Sequence, residues 1–265
     1  MKIAIIGYGK MGHAVEKSAL ERGHEVVCTI DAGQEDKFGS AEFRSADVAI
    51  EFTSPATAAA NIVRSVKAGV PVVSGSTGWY GELPEVSAEV EKAGSGLLYA
   101  SNFSIGVYVT RLVSDYLARL MEHLPEYDCL MNETHHVHKL DAPSGTAITL
   151  AEGIVKNCPR YEGYKGYDPV FVDPENADKT MEAAQKVAEE IGATPGDMIP
   201  VLSYRDGEVP GTHEIEWESA VDSITLVHEA KGRQGFALGA VTGAEWLNGR
   251  KGVYGIDDFM GELLK

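Results

Sequence analysis

The sequence predicts an α/β protein of two domains, one built on a parallel sheet and one of mixed α+β type with an open sheet. Over the first hundred residues, short β-branched runs alternate with helical stretches, which is typical of parallel strands joined by helices. A glycine-rich turn joins the first of these runs to the first helix. Three apolar runs between residues 199 and 228 are separated by short polar turns, as antiparallel strands are.

The strands of the parallel sheet are predicted at residues 3–6, 26–30, 48–52, 70–73 and 97–99. Gly23, Gly69 and Gly94 precede three of them, at points where helices should end. From residue 105 to residue 124, apolar side chains recur with helical spacing. This stripe predicts one long helix that packs onto a sheet.

The rest of the chain alternates in a different way. A strand at 127–134 leads into a helix through residues 147–155, and residues 157–176 are predicted to be an irregular connection. A helix at 179–191 precedes three antiparallel strands at 199–204, 213–217 and 223–228, with turns at 205–207 and 220–222. A helix at 235–247 and a closing segment at 253–264 complete the prediction.

Composition favours a globular protein without a polyanionic partner. The 265 residues suffice for two domains, and 44% hydrophobic residues supply a core for each. A net charge of −17 argues against nucleic acid or an anionic membrane as a partner, because both need a broad basic surface. The three cysteines form no CxxC pair and no run of eighteen apolar residues occurs. We therefore expect no zinc site, no disulfide framework, no membrane span and a cytoplasmic location.

Gly7, Gly9 and Gly12 form the pattern GxGxxG between the first strand and the first helix. Here Gly7 permits the tight turn, Gly9 lets a pyrophosphate approach the backbone, and Gly12 allows close packing of the helix on the strand. Asp31 ends the second strand, 19 residues after Gly12, where an acid binds the adenosine ribose. The first domain is therefore predicted to be of the Rossmann type. Because the nearest base after Asp31 is Lys37, NADH is the expected cofactor, with NADPH possible.

Two further loops leave the carboxyl ends of later strands, where ligands bind in open α/β sheets. Residues 75–77 would bring the backbone close to the nicotinamide ribose. In residues 100–104, Phe103 would cover the nicotinamide ring. The alternative is that both are simply loops made of turn residues.

Residues 133–147, ETHHVHKLDAPSGTA, contain three of the eight histidines, a lysine and a helix start. His135 and Lys139 are four residues apart, so an acid/base and a cation share a face in either a strand or a helix. Pro143 suits the first turn of a helix capped by Asp141 or Ser144. The first backbone N–H groups of that helix would bind an anion such as a carboxylate.

Two alternatives for these histidines remain open. His136 and His138 share a strand face at a spacing suited to metal ligands. A lysine one residue further would repel a cation, and no second Cys or His cluster supplies more ligands, so a metal site is disfavoured. The second alternative is a purely structural role, since histidines are often exposed or half-buried without any function in binding or catalysis. Catalysis or substrate binding is favoured over both.

Segment 133–147 resembles dihydrodipicolinate reductases, as do GYGKMG at residues 7–12, GST at 75–77 and ASNFS at 100–104. Further similar stretches are RDG at 205–207, GTH at 211–213, HEA at 228–230 and RQGFALGA at 233–240. The resemblance spans the whole chain. One departure is the missing base directly after Asp31, where many relatives have arginine, and this departure disfavours NADPH.

The resemblance implies NAD(P)H-dependent reduction of 4-hydroxy-tetrahydrodipicolinate to tetrahydrodipicolinate with loss of water, in lysine and diaminopimelate biosynthesis. It implies His135 as general acid/base and Lys139 as proton donor and carboxylate partner. The substrate, a small cyclic dicarboxylate, would contact His136, Lys139, Ser144, Gly145 and Thr146. The nucleotide would contact Gly7, Tyr8, Gly9, Lys10, Met11, Gly12, Asp31, Gly75, Ser76, Thr77, Ala100, Ser101, Asn102 and Phe103.

The resemblance also implies how the domains are divided. Residues 1–103 and 237–265 would bind the dinucleotide, and residues 104–236 would bind substrate and form a homotetramer through an open sheet. One rival is another two-domain NAD-dependent dehydrogenase. An aldehyde dehydrogenase needs a thiolate nucleophile, but no cysteine lies at a recognisable helix start. The other rival is an NADH-binding sensor. It would show no turnover, and substitutions at His135 would not change its nucleotide binding.

Overall fold

The computed structural model describes residues 1–265, which form two compact units. The first unit contains residues 1–105 and 233–265, and the second contains residues 106–232. None of the helices combines the length and the apolar character that a bilayer span requires.

The first unit is built on a sheet of six parallel strands in the order β12-β5-β4-β3-β1-β2. The strands are β1 (Lys2–Ile6), β2 (Glu25–Ile30), β3 (Val48–Glu51), β4 (Val72–Ser74), β5 (Gly96–Tyr99) and β12 (Gly252–Gly255). The helices are α1 (Lys10–Glu21), α2 (Ala41–Arg44), α3 (Pro55–Lys67), α4 (Leu83–Ala93), α8 (Gln234–Leu247) and α9 (Ile256–Leu263). The predicted α/β fold class, with a Rossmann-type sheet, is confirmed.

The C-terminal part of the chain completes this unit. The closing segment, predicted without a structure, supplies β12 as the sixth strand beside β5, followed by α9. Helix α8 lies very close to the segment after β5, because a Cβ atom on Gly239 would lie 1.8 Å from the carbonyl oxygen of Phe103. Only glycine permits this approach of two backbones.

The second unit is built on a mixed sheet in the order β11-β10-β6-β9-β7, with β8 also paired to β9. Its strands are β6 (Asp128–His135), β7 (Gly163–Gly166), β8 (Val170–Phe171), β9 (Met198–Arg205), β10 (Thr212–Glu218) and β11 (Ser223–Glu229). Its helices are α5 (Ile105–Met121), α6 (Gly145–Asn157) and α7 (Ala177–Gly192). The core beneath α6 contains the buried side chains of Leu150, Ile154, Val201 and Trp217.

The predicted antiparallel arrangement of the last three strands is correct only in part. Strands β10 and β11 form the expected antiparallel hairpin. Strand β9, however, pairs in parallel with β6, and β6 lies between β9 and β10. The turn predicted at residues 205–207 therefore does not join neighbouring strands. The region predicted as irregular, 157–176, contains the short strands β7 and β8, both added to β9.

The prediction that the apolar stripe of α5 packs onto the sheet is correct only for Leu117 and Met121, which join the core of the second unit. The stripe residues Val109, Leu112, Val113, Tyr116 and Leu120 are between 39% and 58% exposed. The buried face consists mainly of smaller side chains, namely Thr110, Ser114 and Ala118 with Met121. Small residues let α5 lie close to α6, where a Cβ atom on Gly153 would stand 2.4 Å from Oδ1 of Asp115.

Candidate active site

The glycine-rich turn of the first unit has one open position and two crowded ones. A Cβ atom on Gly7, whose φ is +88°, would lie 2.0 Å from the carbonyl oxygen of Phe52. A Cβ atom on Gly12 would lie 2.3 Å from the carbonyl oxygen of Gly7. A Cβ atom on Gly9, the N-cap of α1, would meet no atom within 4 Å. Packing therefore explains two of the glycines, while Gly9 borders open space that a ligand can enter.

The other residues of this turn differ in their surroundings. Lys10 is exposed and Met11 is half-buried. The hydroxyl of Tyr8 donates a hydrogen bond to Glu16, and its ring centroid lies 4.2 Å from that of His13. Tyr8 is thus fixed along α1, beside the open position at Gly9.

Asp31 follows the last residue of β2 and is exposed. Its backbone N–H donates to Oε1 of Gln34 at 3.2 Å. The nearest base, Lys37, is already engaged, because its Nζ donates to the carbonyl of Thr29 at 3.0 Å and to Oε1 of Gln34 at 2.8 Å. The charge at this edge is therefore negative, since Glu35 and Asp36 are exposed as well.

The two later loops lie at the carboxyl ends of β4 and β5. Gly75 must be glycine, because its Cβ would lie 2.0 Å from the ring of Phe52. Ser76 is buried and Thr77 is exposed. In the next loop Ala100 is buried and Ser101 is exposed, while Asn102 accepts a hydrogen bond from the backbone of Ser104 at 2.8 Å.

The ring of Phe103 is 2% exposed. It packs edge-on against Phe52, with ring centroids 6.4 Å apart, and contacts the position of Gly243 on α8. Burial of an aromatic ring in the core contributes strongly to the stability of the fold. The expectation that Phe103 covers a nicotinamide ring is therefore corrected: the side chain belongs to the core of the first unit.

In the second unit, three neighbouring strands bring five polar side chains to one face of the sheet. The register sets His213 of β10 and Ser203 of β9 on either side of Glu133, and sets Arg205 beside His135. Residues two apart in a strand, and residues in register on adjacent strands, point to the same face. These five side chains, here called the Glu133 cluster, are all buried, with exposures between 0% and 8%.

Glu133 is the anionic centre of the cluster. Its Oε1 accepts hydrogen bonds from the backbone N–H of Ser144 at 3.1 Å, the hydroxyl of Ser203 at 2.8 Å and Nη2 of Arg205 at 3.3 Å. Its Oε2 lies 2.9 Å from Nδ1 of His135. Burial alone would raise the pKa of Glu133, but His135 and the two serines outweigh it and lower the pKa to about 2. The carboxylate is therefore ionised at neutral pH.

The two ring nitrogens of His135 have different neighbours. Nδ1 faces the anionic Glu133, which favours a proton on Nδ1. Nε2 faces Gly211, where a Cβ atom would lie only 3.0 Å away. Glycine at position 211 therefore leaves Nε2 unobstructed, so this nitrogen can exchange a proton with a bound molecule.

His213 is held in the neutral form. Burial lowers its pKa most and the nearby His135 lowers it further, to about 4, although Glu133 has the opposite effect. Its Nε2 lies 3.1 Å from Oγ of Ser144. That oxygen also accepts from the N–H of Ala147, and the tautomer of His213 decides which of the two groups donates to the other.

Arg205 fastens the loop after β6 to the sheet. In addition to its contact with Glu133, the fully buried guanidinium donates to the carbonyls of Lys139 at 3.3 Å, Tyr204 at 2.7 Å and Asp141 at 2.6 Å. Nζ of Lys139 is paired with both carboxylate oxygens of Asp141, at 2.8 and 2.9 Å. The backbone from Lys139 to Asp141 is thus held by Arg205. The ammonium of Lys139 is paired with Asp141, a partner that a substrate carboxylate can replace.

Helix α6 begins one residue after Ser144, which is its N-cap. The side chain of Ser144 accepts from Ala147 at 3.2 Å, so Asp141 is not the cap. Pro143 precedes the cap, and the prediction that it lies in the first turn is therefore wrong. Gly145 is exposed and a Cβ atom there would meet nothing within 4 Å, so the start of α6 borders open space.

The remaining histidines of the segment are less constrained. His138 is 75% exposed in its side chain and lies 3.5 Å from Glu208. His136 is half-buried, and its Nδ1 is buried without a hydrogen-bond partner. An unpaired buried nitrogen of this kind is suited to receive a polar group of a ligand.

The sequence prediction missed the partners of His135. Potential ligand atoms of Glu133, His135 and His213 lie within 4.8 Å of one another, a spacing that would also suit a metal ion. The donors already bound to Glu133, the buried guanidinium above all, oppose a cation there. Glu133 could have been found from the sequence, because it stands two residues before His135 in a predicted strand. Arg205 and His213 lie in the family-like stretches RDG and GTH, but no spacing in the sequence linked them to His135.

Two family models together match most of the chain. Residues 1–103 match the family model for the N-terminus of dihydrodipicolinate reductase, and residues 106–260 match the model for its C-terminus. The chain is 37% identical over 265 residues to the 4-hydroxy-tetrahydrodipicolinate reductase of Christiangramia forsetii, covering 100% of both chains. It is 33% identical to the enzyme of that name from Archaeoglobus fulgidus, covering 98% of this chain and 100% of the other.

Among solved structures, the fold is similar to a dipicolinate-bound dihydrodipicolinate reductase from Paenisporosarcina sp. TG-14. The TM-score is 0.71 at 22% sequence identity, and the match covers 97% of this chain and 98% of the other. The resemblance inferred from the sequence is confirmed. The chain belongs to the dihydrodipicolinate reductase family.

Proposed function

We propose that the protein reduces 4-hydroxy-tetrahydrodipicolinate to tetrahydrodipicolinate, with NAD(P)H as reductant and loss of water. This is the reaction in lysine and diaminopimelate biosynthesis to which its relatives' names refer. The observation that carries the proposal is the setting of His135, whose Nδ1 lies 2.9 Å from the ionised Glu133 and whose Nε2 faces Gly211. A histidine in this setting is suited to act as a general acid/base.

The chemistry needs a hydride and a proton. A bound NAD(P)H would supply the hydride to an unsaturated ring imine that has lost water. His135 would supply the proton from Nε2, while Glu133 holds the imidazole in place from the side of Nδ1. In sum, substrate, NAD(P)H and one proton give product, NAD(P)⁺ and water.

Two anion sites are required by a cyclic dicarboxylate, and the second unit offers both. At the first, a substrate carboxylate replaces Asp141 as the partner of Lys139, while the unpaired nitrogen of His136 supplies a further contact. The second is the start of α6 at Gly145 and Thr146, supported by the positive end of the helix dipole. Ser144 contributes to this site as the N-cap of α6. Its backbone N–H is bound to Glu133 and its hydroxyl to Ala147, so neither is free for a ligand.

We further propose NADH as the preferred cofactor, bound by the unit that contains residues 1–105 and 233–265. The turn at residues 7–12 would hold the pyrophosphate, Asp31 the adenosine ribose, and residues 75–77 with the backbone of residues 100–103 the nicotinamide half. A 2′-phosphate would meet the carboxylate of Asp31, while Lys37 is held by Thr29 and Gln34. This distribution of charge supports NADH over NADPH.

A cytoplasmic homotetramer is the assembly that we propose. Strand β11 is the edge of the open sheet, and Ile224 and Val227 on it are 40% and 51% exposed. An exposed apolar edge strand is usually covered by another chain.

The direct test is consumption of NADH, followed by its near-ultraviolet absorbance, when the purified protein receives the product of the preceding synthase. Turnover is expected with NADH and, less efficiently, with NADPH. Binding of NADH without turnover would favour the sensor, and absence of both would defeat the proposal. Light scattering in the same buffer would give the mass of the assembly.

A further inference from the structure

Asp141 pairs with Lys139, the residue to which the proposed function assigns a substrate carboxylate. Nζ of Lys139 donates to Oδ1 of Asp141 at 2.8 Å and to Oδ2 at 2.9 Å, so the ammonium binds both oxygens. The side chain of the intervening Leu140 is 96% exposed and takes no part in this pair. A carboxylate of the chain itself therefore binds the ammonium that a substrate carboxylate needs.

The backbone of this pair is fixed by a buried side chain. Arg205, which is fully buried, donates from Nε to the carbonyl of Lys139 at 3.3 Å and from Nη2 to the carbonyl of Asp141 at 2.6 Å. The backbone N–H of Lys139 donates to the carbonyl of His136 at 3.1 Å. Exchange of the partner of Lys139 therefore requires only rotation of the short side chain of Asp141 between rotamers.

The carboxylate of Asp141 is ionised but weakly held. Burial alone would raise its pKa, but the hydrogen bond and the charge of Lys139 outweigh burial and lower the pKa below its usual value. The side chain of Asp141 is 60% exposed and that of Lys139 is 20% exposed. An ion pair with one partner this exposed is weak, because water competes for its charges. A second carboxylate can therefore displace Asp141 at small cost.

Asp141 competes with every anion that reaches Lys139. It is tethered two residues away, so it meets the ammonium at a high effective concentration. Because Asp141 already competes for the ammonium, a small free anion such as phosphate adds little further competition. A dicarboxylate whose other carboxylate is bound at the start of α6 is anchored as well, so it can displace Asp141.

We propose that Asp141 is an internal competitor of the substrate, which holds Lys139 in position until a dicarboxylate displaces it and makes the site less sensitive to small free anions. The inference rests on the proposed function, which places a substrate carboxylate on Lys139. Asp141 then weakens the binding of the dicarboxylate and lessens inhibition by free anions. A purely structural role predicts the opposite for the first effect, because loss of structure would weaken binding.

The test measures binding of pyridine-2,6-dicarboxylate to the protein saturated with NADH, by isothermal titration calorimetry. In Asp141→Asn the amide keeps the shape of the carboxylate and one acceptor for Lys139 but loses the charge. We expect Kd to fall about 2- to 6-fold, the equilibrium value of a partly exposed ion pair. A Kd that is unchanged or higher in this variant would overturn the inference.

Two further variants show whether the effect belongs to the charge of Asp141. Glu208→Gln removes an exposed acid of the same unit that lies 3.5 Å from His138, and its Kd should equal that of the unaltered protein. Asp141→Glu keeps the charge on a longer side chain and should also leave Kd nearly unchanged. A decrease in either variant as large as that in Asp141→Asn would contradict the competition at Lys139.

Inorganic phosphate is the probe for the effect on free anions. At constant ionic strength, added phosphate should raise the apparent Kd of the dicarboxylate by a larger factor in Asp141→Asn than in the unaltered protein. Equal factors would overturn the inference and leave the proposed function intact. Lys139→Met tests the proposed function separately: if it binds the dicarboxylate as tightly as the unaltered protein, Lys139 holds no carboxylate and the proposed anion site is wrong.

Discussion

The two candidate sites are built in opposite ways. The glycine turn of the first unit lies within six consecutive residues and works because side chains are missing, most clearly at Gly9. The Glu133 cluster of the second unit comes from three strands and works because charged side chains are buried together. A substitution in the turn therefore adds atoms where a ligand should lie. A substitution in the cluster removes one hydrogen-bonding or charged partner. The remaining charged group or imidazole then stays buried without it.

The largest expected effect is on turnover. His135→Gln should lower kcat by roughly 10²- to 10⁴-fold, because it removes the positioned proton donor and leaves the backbone in place. Kd for NADH should not change, since the proposed nucleotide contacts lie in the other unit. Steady-state kinetics and a fluorescence titration measure the two effects. His138→Gln is the control, because His138 is exposed and should keep full turnover.

Unchanged turnover in His135→Gln would remove this residue from the mechanism. Equal losses in both variants would show that the segment as a whole, rather than one imidazole, is needed.

The second prediction concerns stability in acid. Above pH 6.5, His213 is neutral in the folded and the unfolded chain; between pH 6.5 and about 4, only the unfolded chain gains a proton. The contribution of His213 to the free energy of unfolding should therefore be complete above pH 6.5 and fall by about 3 kcal/mol as the pH falls to about 4. Urea unfolding of the unaltered protein and of His213→Gln at pH 7 and pH 4.5 measures this difference.

His213→Gln should lose less stability than the unaltered protein over this range, whereas His138→Gln should lose the same amount. Parallel pH profiles for all three would show that His213 is not held neutral by the fold.

The third prediction separates the open glycine from a crowded one. Gly9→Val should raise Kd for NADH roughly 10- to 100-fold, the loss of about two hydrogen bonds, with little change in Tm. Gly12→Ala should lower Tm, because its Cβ would lie 2.3 Å from the Gly7 oxygen. Differential scanning fluorimetry and NADH titration distinguish the two. A lowered Tm with unchanged NADH affinity in Gly9→Val would show that position 9 serves packing only.

The smallest effect is expected at the ribose site. Asp31→Ala should weaken NADH binding about 10-fold through the loss of hydrogen bonds to the ribose diol, with little effect on the saturated rate. NADPH binding should weaken less or improve, since a negative charge is removed from the edge where the 2′-phosphate would lie. Asp36→Ala, a nearby exposed acid, is the control. Equal losses for both cofactors would show that Asp31 does not select between them.

The sequence predicted the parts of the molecule that depend on neighbouring residues. The turn at residues 7–12, the acid at position 31 and the order of helices and strands follow from local turn chemistry and periodicity. Strand β12 has only four residues, too few for a periodic pattern. Most of the buried face of α5 was missed because close helix packing selected small side chains over larger apolar ones.

The Glu133 cluster depends on strand pairing between distant segments. Ser203, Arg205 and His213 stand 70 or more residues from Glu133 and join it only because β6 lies between β9 and β10. A hairpin of β9 and β10, the arrangement expected from their closeness in sequence, would have kept these residues from their partner. The alternation within a strand shows which residues share a face, but a single sequence does not show which distant strand lies beside it.

The first unit is discontinuous, and this bears on the order in which the protein is made. Residues 1–105 emerge from the ribosome long before residues 233–265, which carry β12 and the buried helix α8. The first unit therefore stays incomplete, with apolar sheet surface exposed to solvent, until the second unit has been translated. A gene fragment ending near residue 103 should accordingly yield an aggregating polypeptide, and co-expression of the missing C-terminal segment should rescue its solubility.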